Sequence, residues 1–173
     1  ILILPNISDK GTDGWQPSLR KYAKKKKIKI VNEKKLYNLK NLIFISIEYE
    51  KIISVKNFLS RELFNIHFSI LPKYRGCHTN YLQIKNGEKF SGVTLHKIDK
   101  GIDTGDIVDQ MKYIIGTNVS AFANYQKLMK YSEQIFIKNY KKILKKKYKQ
   151  TKQNSSKSSY FSRESVDYKK EKN

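Results

Sequence analysis

The chain has a single cysteine, Cys77, and only three histidines in 173 residues. One cysteine excludes an intramolecular disulfide, which is compatible with a reducing compartment. The histidines His67, His78 and His96 are not spaced as ligands of a structural zinc, and one thiolate provides no cluster. We therefore expect no metal site.

Long apolar runs are missing as well. No stretch approaches the roughly twenty apolar residues that a membrane-spanning helix needs, and the first residues show no basic segment before a short apolar run. The sequence indicates neither membrane insertion nor secretion, so we expect a cytoplasmic protein. No internal repeat is found, and 173 residues correspond to one domain that is large enough for a core.

Acidic residues are scarce, since 15 Asp and Glu stand against 36 Lys and Arg, which gives a net charge of +21. With 12 Tyr and 8 Phe, a basic nucleic-acid-binding module is one interpretation of this composition. However, the lysines are spread through nearly every segment, and abundant Ile and Asn beside three alanines is the pattern of an AT-rich genome. Positive charge also suits small anionic ligands, so nucleic acid is the less favoured partner.

The order of apolar runs predicts an α/β domain with a mostly parallel, Rossmann-like sheet, because strands alternate with helices. Pro17 is expected to open a helix that ends near Lys27. Ser120 is expected to cap a long helix with apolar residues at three- and four-residue steps on one face. The predicted strands are residues 1–4, 28–31, 42–47, 63–71 and 92–98.

Polar side chains interrupt the predicted strand 63–71, which Pro72 stops. Because side chains alternate along a strand, Asn65, His67 and Ser69 share one face. Strands of an open α/β sheet are normally apolar on both faces, and ligands bind at their carboxyl ends. An isolated Asn-x-His pair would more simply bind neighbouring loop backbone, but the residues that follow favour a site.

A carboxylate follows the next predicted strand. In the loop 99–106, Gly101 and Gly105 bracket Asp103. This loop can bring Asp103 beside His67, whereas Asp103 alone would be interpreted as a turn residue that caps loop amides. Together, an amide, an imidazole and a carboxylate at one edge of a sheet are the parts of an acyl-transfer site.

These segments resemble the folate-dependent formyltransferase family. Residues 65–76 resemble the family's Asn-x-His-Pro-Ser-Leu-Leu-Pro signature and the loop after it, with Phe68 in place of the proline. Residues 92–94 and 101–108 resemble its later strand and its aspartate loop. The resemblance implies a formyltransferase fold and 10-formyltetrahydrofolate as the co-substrate.

By this resemblance, Asn65, His67 and Asp103 are the expected catalytic residues. An amine that attacks a formyl carbonyl generates an oxyanion, and a fixed hydrogen-bond donor is typically worth about 3 kcal/mol in the barrier. Asn65 and protonated His67 are suitable donors, and a histidine can also accept the amine proton. Asp103 would orient the imidazole, bias its tautomer or hold a relaying water, and the sequence leaves these roles open.

Within the family, the chain most resembles the sugar-nucleotide N-formyltransferases, which formylate a dideoxy-amino sugar. The resemblance lies in residues 15–18, 73–80, 86–89 and 94–99. It implies a dTDP- or GDP-linked amino sugar as the acceptor, and it leaves a homodimer open. Methionyl-tRNA formyltransferase is the alternative, but that enzyme usually has small apolar residues and a proline where this chain has residues 77–79. It would also need a C-terminal β-domain that this length does not contain.

Six further residues are expected to line the substrate or folate pocket by the same resemblance. They are Tyr49, Tyr74, Arg75, His78, Gly101 and Ile102. His78 could equally be a surface-loop histidine. His96 lies inside the alternating strand 92–98 and is expected to pack or to face solvent.

We expect one domain in three parts, which are an α/β core at residues 1–118, a packing helix at 119–147 and a polar extension at 148–173. The extension is rich in Ser and Lys, so little core can form there. Both partial disorder and, by resemblance, a cover over the nucleotide are open for it. Family members usually begin with a further strand and helix, so strands 1–4 and 42–47 are expected to lack the strand that normally separates them.

Overall fold

The computed structural model describes residues 1–167, which contain eight strands and three α-helices. The strands are β1 (Leu2–Ile3), β2 (Lys29–Ile30), β3 (Ile43–Ile47), β4 (Glu62–His67), β5 (Arg75–Gly76), β6 (Phe90–Lys97), β7 (Ile107–Ile114) and β8 (Tyr160–Phe161). The α-helices are α1 (Leu19–Lys25), α2 (Thr79–Lys85) and α3 (Ala121–Leu144). Short 3₁₀ helices lie at Glu33–Leu36, Val55–Asn57, Ser155–Lys157 and Arg163–Ser165.

The main sheet has four strands in the order β3–β4–β6–β7. β3 and β4 are parallel, whereas β4 pairs antiparallel with β6, and β6 with β7. The pairs β1–β2 and β5–β8 are separate parallel sheets. Three of the five strand pairings in residues 1–167 are thus parallel, and the predicted α/β class is confirmed. The hairpin β6–β7 makes the second half of the main sheet antiparallel.

The long helix α3 covers one face of the main sheet, as the apolar pattern predicts. The hydroxyl of Ser120 accepts a hydrogen bond from the amide of Ala123 at 3.1 Å, so the predicted N-cap is confirmed. The core between α3 and the sheet consists of Phe64, Ile66, Phe68, Val93, Leu95, Tyr113, Tyr125, Leu128, Ile135 and Ile143. A second cluster contains Val31, Leu36, Phe44, Ile53, Phe58 and Leu63.

A cavity of about 1300 Å³ lies between the β1–β2 pair and strand β3. Its lining includes Leu2, Leu4, Phe44 and Ile45. Within residues 1–167, β1 pairs only with β2 and β3 pairs only with β4. Within residues 1–167 the β1–β2 pair and the main sheet are therefore separate sheets.

Helix α1 and strand β4 differ most from the sequence prediction in their boundaries. Helix α1 begins two residues after Pro17, because the hydroxyl of Ser18 caps it by accepting from the amide of Lys21 at 2.9 Å. It ends before Lys27, whose φ of 54° is left-handed and cannot continue a helix.

The strand predicted at residues 63–71 ends at His67, where the ladder with β6 also ends. Beyond this point the hydroxyl of Ser69 donates to the carbonyl of Lys73 at 2.7 Å and turns the chain.

Residues 148–167 of the polar extension run across the loops at the carboxyl end of β4. Strand β8 pairs with β5, and the ring of Phe161 stacks on Tyr74 with centroids 5.3 Å apart. The remainder of the predicted extension, residues 168–173, lies outside the described residues. None of the helices described in residues 1–167 is both long and apolar enough to cross a membrane.

Candidate active site

The side chains of Asn65, His67 and Asp103 meet at the carboxyl end of β4. Since Phe64 and Ile66 face α3, the alternation of the strand directs Asn65 and His67 to the opposite face. The amide nitrogen of Asn65 donates to Asp103 Oδ1 at 3.3 Å, and His67 Nδ1 lies 3.5 Å from Asp103 Oδ2. The loop after β6 therefore brings the carboxylate to the imidazole, as the sequence predicts.

His96 is a fourth member of this cluster, contrary to the expectation that it only packs or faces solvent. The ladder places His96 directly opposite Asn65, so both side chains lie on one face of the sheet. His96 Nε2 lies 3.4 Å from Asp103 Oδ1 and 3.4 Å from Asn65 Nδ2. Its Nδ1 donates to the carbonyl of Lys97 at 2.7 Å, and the residue is only 2% exposed. We name Asn65, His67, His96 and Asp103 the Asp103 cluster.

The carboxylate of Asp103 is held in its ionised form. Burial alone would raise its pKa, but the charges of His67 and His96 and the hydrogen bonds from His96 and the Gly76 amide outweigh burial. The pKa of Asp103 therefore lies well below its ordinary value. The Gly76 amide donates to Asp103 Oδ2 at 2.9 Å, so the loops of residues 72–76 and 99–105 touch at this atom.

His67 is fixed through both ring nitrogens. Its Nε2 donates to the carbonyl of Tyr74 at 2.6 Å, while Nδ1 faces Asp103. Tyr74 thus reaches the cluster through its backbone, and its hydroxyl donates to Glu88 at 2.8 Å instead. The predicted pocket residue Tyr74 is therefore adjacent to the site, but its ring points away towards Phe161.

Arg75 and His78 are held by the C-terminal segment. Arg75 is 9% exposed, and its guanidinium donates to the side-chain oxygen of Gln153. His78 Nε2 donates to the carbonyl of Arg163 at 2.8 Å. Both residues therefore lie on the loop beside the cluster and contact residues 151–166.

The other three predicted pocket residues have separate positions. The hydroxyl of Tyr49 donates to Glu33 at 3.4 Å and its ring packs on the second apolar cluster, so the structure does not bring it to Asp103. Gly101 lies against Thr104, whose Oγ1 would be 2.2 Å from an added Cβ, and this close approach requires glycine. Ile102 is partly exposed at the tip of the same loop.

Glu48 is a carboxyl group near the site that the sequence analysis passed over. It follows β3, lines the cavity and has a left-handed backbone with φ 50°. Asn6 holds this turn by donating to the Glu48 carbonyl at 2.9 Å and accepting from the Glu50 amide at 3.0 Å. Burial of the carboxyl group, together with the charge of Asp103, raises the pKa of Glu48 to about 7. None of the four members of the Asp103 cluster lines this cavity.

The pKa of the Asp103 carboxyl group is thus lowered, whereas the pKa of the Glu48 carboxyl group is raised to about 7. Such a separation of pKa values is a feature of sites that move protons. In residues 1–167 no group of three His, Cys, Asp or Glu side chains has an arrangement that could hold a metal ion. What the cluster can do is donate hydrogen bonds from an amide and an imidazole beside a fixed carboxylate.

An amide, two imidazoles and a carboxylate at the carboxyl end of a strand in an α/β sheet are groups with which acyl transfer can be catalysed. Residues 11–140 match the family model described as "Formyl transferase". The chain therefore belongs to the formyl transferase family, which confirms the resemblance in its motifs.

Two solved structures are closely similar to the chain. One is WlaRD, described as a sugar 3N-formyl transferase in the presence of dTDP and 5-N-formyl-THF, with 49% sequence identity and a TM-score of 0.93. The other is the N-formyltransferase from Helicobacter canadensis in complex with folinic acid and dTDP-3-aminofucose, with 45% identity and a TM-score of 0.93. Each alignment covers 96% of this chain, and 61% and 62% of the respective structures.

The alignments with two curated relatives cover a smaller share of those proteins than the alignments with the solved structures do. The bifunctional polymyxin resistance protein ArnA of Wigglesworthia glossinidia brevipalpis is 36% identical over 92% of this chain and 26% of its own. The methionyl-tRNA formyltransferase of Kosmotoga olearia is 35% identical over 72% of this chain and 41% of its own. The chain thus spans a quarter to two fifths of these relatives.

Proposed function

We propose that this protein transfers a formyl group from 10-formyltetrahydrofolate to the amino group of a nucleotide-linked dideoxy-amino sugar. The observation that carries the proposal is the contact of the Asp103 carboxylate with Asn65 and His67 on the end of β4. Family membership gives the class of reaction. The two similar sugar N-formyltransferase structures, one with dTDP and one with a dTDP-amino sugar, support the acceptor class.

The geometry accounts for the reaction as follows. The amine nitrogen forms a bond to the formyl carbon, and the bond between that carbon and the folate nitrogen breaks. The amine gives up one proton, and the departing folate nitrogen takes up one. In this proposal Asn65 and His67 donate to the negative charge that develops on the formyl oxygen, and a donor of this kind contributes about 3 kcal/mol. His67 Nε2 then exchanges its hydrogen bond to the Tyr74 carbonyl for one to the substrate. Asp103, fixed by the Gly76 amide and His96, holds the imidazole of His67 in place.

The ligands themselves are anionic, which suits the protein's net charge of +21. A nucleoside diphosphate sugar carries a pyrophosphate, and a folate carries carboxylates. Cytoplasmic localisation and a homodimer stay predictions.

The decisive experiment is a transfer assay on the protein at its full natural length. Purified protein is incubated with 10-formyltetrahydrofolate and a panel of dTDP- and GDP-linked amino sugars, and formylated sugar is detected by mass spectrometry. We expect formylation of at least one sugar. Absence of transfer to any sugar would overturn the proposed acceptor, and transfer to initiator methionyl-tRNA in its place would assign the alternative.

Substitutions in the cluster test the proposed roles. His67→Gln and Asp103→Asn are each expected to lower kcat by about a hundredfold or more, because each removes a donor or the group that orients it. Asp106→Asn makes the same chemical change three residues further along the chain and is expected to retain activity. Wild-type rates in His67→Gln would contradict the mechanism. RNA binding that survives His67→Ala, without any formyl transfer, would favour the nucleic-acid alternative.

A further inference from the structure

Gln153 makes four hydrogen bonds, and all of them go to the two loops that form the site. Its Oε1 accepts from Arg75 Nε at 3.2 Å and from Arg75 Nη2 at 2.7 Å. Its Nε2 donates to the carbonyls of Asp103 at 2.9 Å and Gly105 at 2.7 Å. A primary amide has two hydrogens and accepts about two bonds, so the side chain is fully used.

The loop that carries Asp103 needs such support. Asp103 has a left-handed backbone with φ 53°, a conformation that costs a non-glycine residue about 1 kcal/mol or more. Surrounding contacts must therefore hold it. Gln153 bonds the carbonyl of Asp103 itself and that of Gly105, two residues further on.

The other half of the contact anchors Gln153. Arg75 is 9% exposed, and its guanidinium donates two hydrogen bonds that converge on Gln153 Oε1. A buried cation requires partners of this kind. Arg75 is also in β5, next to Gly76, whose amide bonds the Asp103 carboxylate. Gln153 therefore joins the backbone of the loop 99–105 to the Arg75 side chain in the loop 72–76.

We propose that Gln153 is a positioning residue of the formyl-transfer site, which keeps the Asp103 carboxylate at Asn65 and His67 by fixing the backbone of the aspartate loop. The inference rests on the proposed function for its kinetic test. Gln153 reaches the cluster only through Asp103 and Arg75, so its effect is expected in the rate of the chemical step.

Two substitutions separate the two halves of the contact. Gln153→Met keeps the length of the side chain and removes all four hydrogen bonds. Gln153→Glu keeps an oxygen acceptor for Arg75 but turns carboxylate oxygens towards the carbonyls of Asp103 and Gly105. Lys152→Met, at the exposed neighbouring position, is the matched control.

We expect both Gln153 variants to lower kcat by about tenfold to a hundredfold, since small displacements of a catalytic group cost this much. The KM for the amino sugar is expected to change by less than about threefold, and Lys152→Met is expected to keep wild-type constants. Wild-type kcat in Gln153→Glu would show that Gln153 merely pairs with Arg75. An increase in KM at unchanged kcat would equally overturn the proposal.

Hydrogen exchange provides a readout that does not depend on the reaction. Amides of residues 72–78 and 99–106 are expected to exchange about tenfold faster in both Gln153 variants than in the wild type, while those of α3 are unchanged. Unchanged exchange in both loops would overturn the proposal even if no acceptor is ever found. Absence of formyl transfer by the wild type would overturn the proposed function. Faster exchange in the variants would still show that Gln153 fixes the loop that carries Asp103.

Discussion

Four residues around the site have left-handed backbones, although none of them is glycine. Glu48, Tyr74, His78 and Asp103 have φ values between 50° and 58°. Each such residue costs free energy that its surroundings must supply, and such residues concentrate at functional sites. Their grouping around the Asp103 cluster is therefore a second, independent indication that this edge of the sheet is functional.

The carboxyl group of Glu48 gives a testable pH dependence. In the folded protein its pKa is about 7, whereas the ordinary value is 4.5, so the folded state binds more protons between these values. The contribution of Glu48 to the free energy of unfolding is thus fully present below about pH 4.5 and is lost as the pH rises to about 7. Glu48→Gln is expected to melt above the wild type at about pH 8, and equally at about pH 4.

Circular dichroism melts at both pH values measure this effect. The difference is expected to be small, because Glu48 is exposed as a residue, although protein atoms surround its carboxyl group. Glu50→Gln is the matched control with the opposite sign, since its hydrogen bond from Ser8 lowers the pKa of Glu50. Identical melting of Glu48→Gln and wild type at both pH values would show that the Glu48 carboxyl group is freely hydrated.

At this scale the sequence predicts the side chains that meet at Asp103 better than the residues that hold them in place. Asn65, His67 and Asp103 follow from a local motif and a nearby loop. The sequence analysis missed His96 because its position opposite Asn65 depends on the register of β4 and β6. The alternation of the strand was a usable signal, since it places His96 on the same face as Thr94. Gln153 lies in a polar segment with no pattern, and only the return of the chain across the sheet brings it to Asp103.

At the scale of elements, length and patterning decide what the sequence predicts. Strands β3, β4 and β6 and helix α3 were predicted because their apolar residues repeat strongly. Helix α2 was missed because seven residues give too few turns for a period to show. Strand β7 was missed because Asp109, Gln110 and Lys112 dilute its alternation.

The short pairing of β5 with β8 depends on Gly76. Its φ is 91°, and an added Cβ would lie 2.1 Å from the carbonyl oxygen of Phe161. Gly76→Ala is therefore expected to lower the free energy of unfolding by more than about 1 kcal/mol and to loosen residues 159–161. Urea unfolding and limited proteolysis measure the two effects.

Gly87→Ala is the matched control for this substitution. Gly87 also has a positive φ, of 64°, but no atom lies within 4 Å of an added Cβ. Gly87→Ala is expected to lower the free energy of unfolding only by the conformational cost of about 1 kcal/mol. If Gly76→Ala were no more destabilising than Gly87→Ala, the contact with Phe161 would not be close in solution.

At the scale of the whole molecule, the largest buried apolar cluster in residues 1–167 lies between α3 and the main sheet. Ile135 is fully buried in this core, whereas Ile137, two residues further along, is 57% exposed. Ile135→Ala is expected to lower the free energy of unfolding by about 2–5 kcal/mol. Ile137→Ala, the same change on the same helix, is expected to cost less than about 1 kcal/mol. Urea unfolding of both variants checks the assignment, and equal losses would contradict it.

The position of Gln153 in the chain also bears on biosynthesis. A ribosome has made all four strands of the main sheet and the whole of α3 before it adds residue 153. A nascent polypeptide can therefore assemble its hydrophobic interior while the aspartate loop still lacks its hydrogen bonds to Gln153. The aspartate loop is for this reason fixed later in synthesis than the hydrophobic interior.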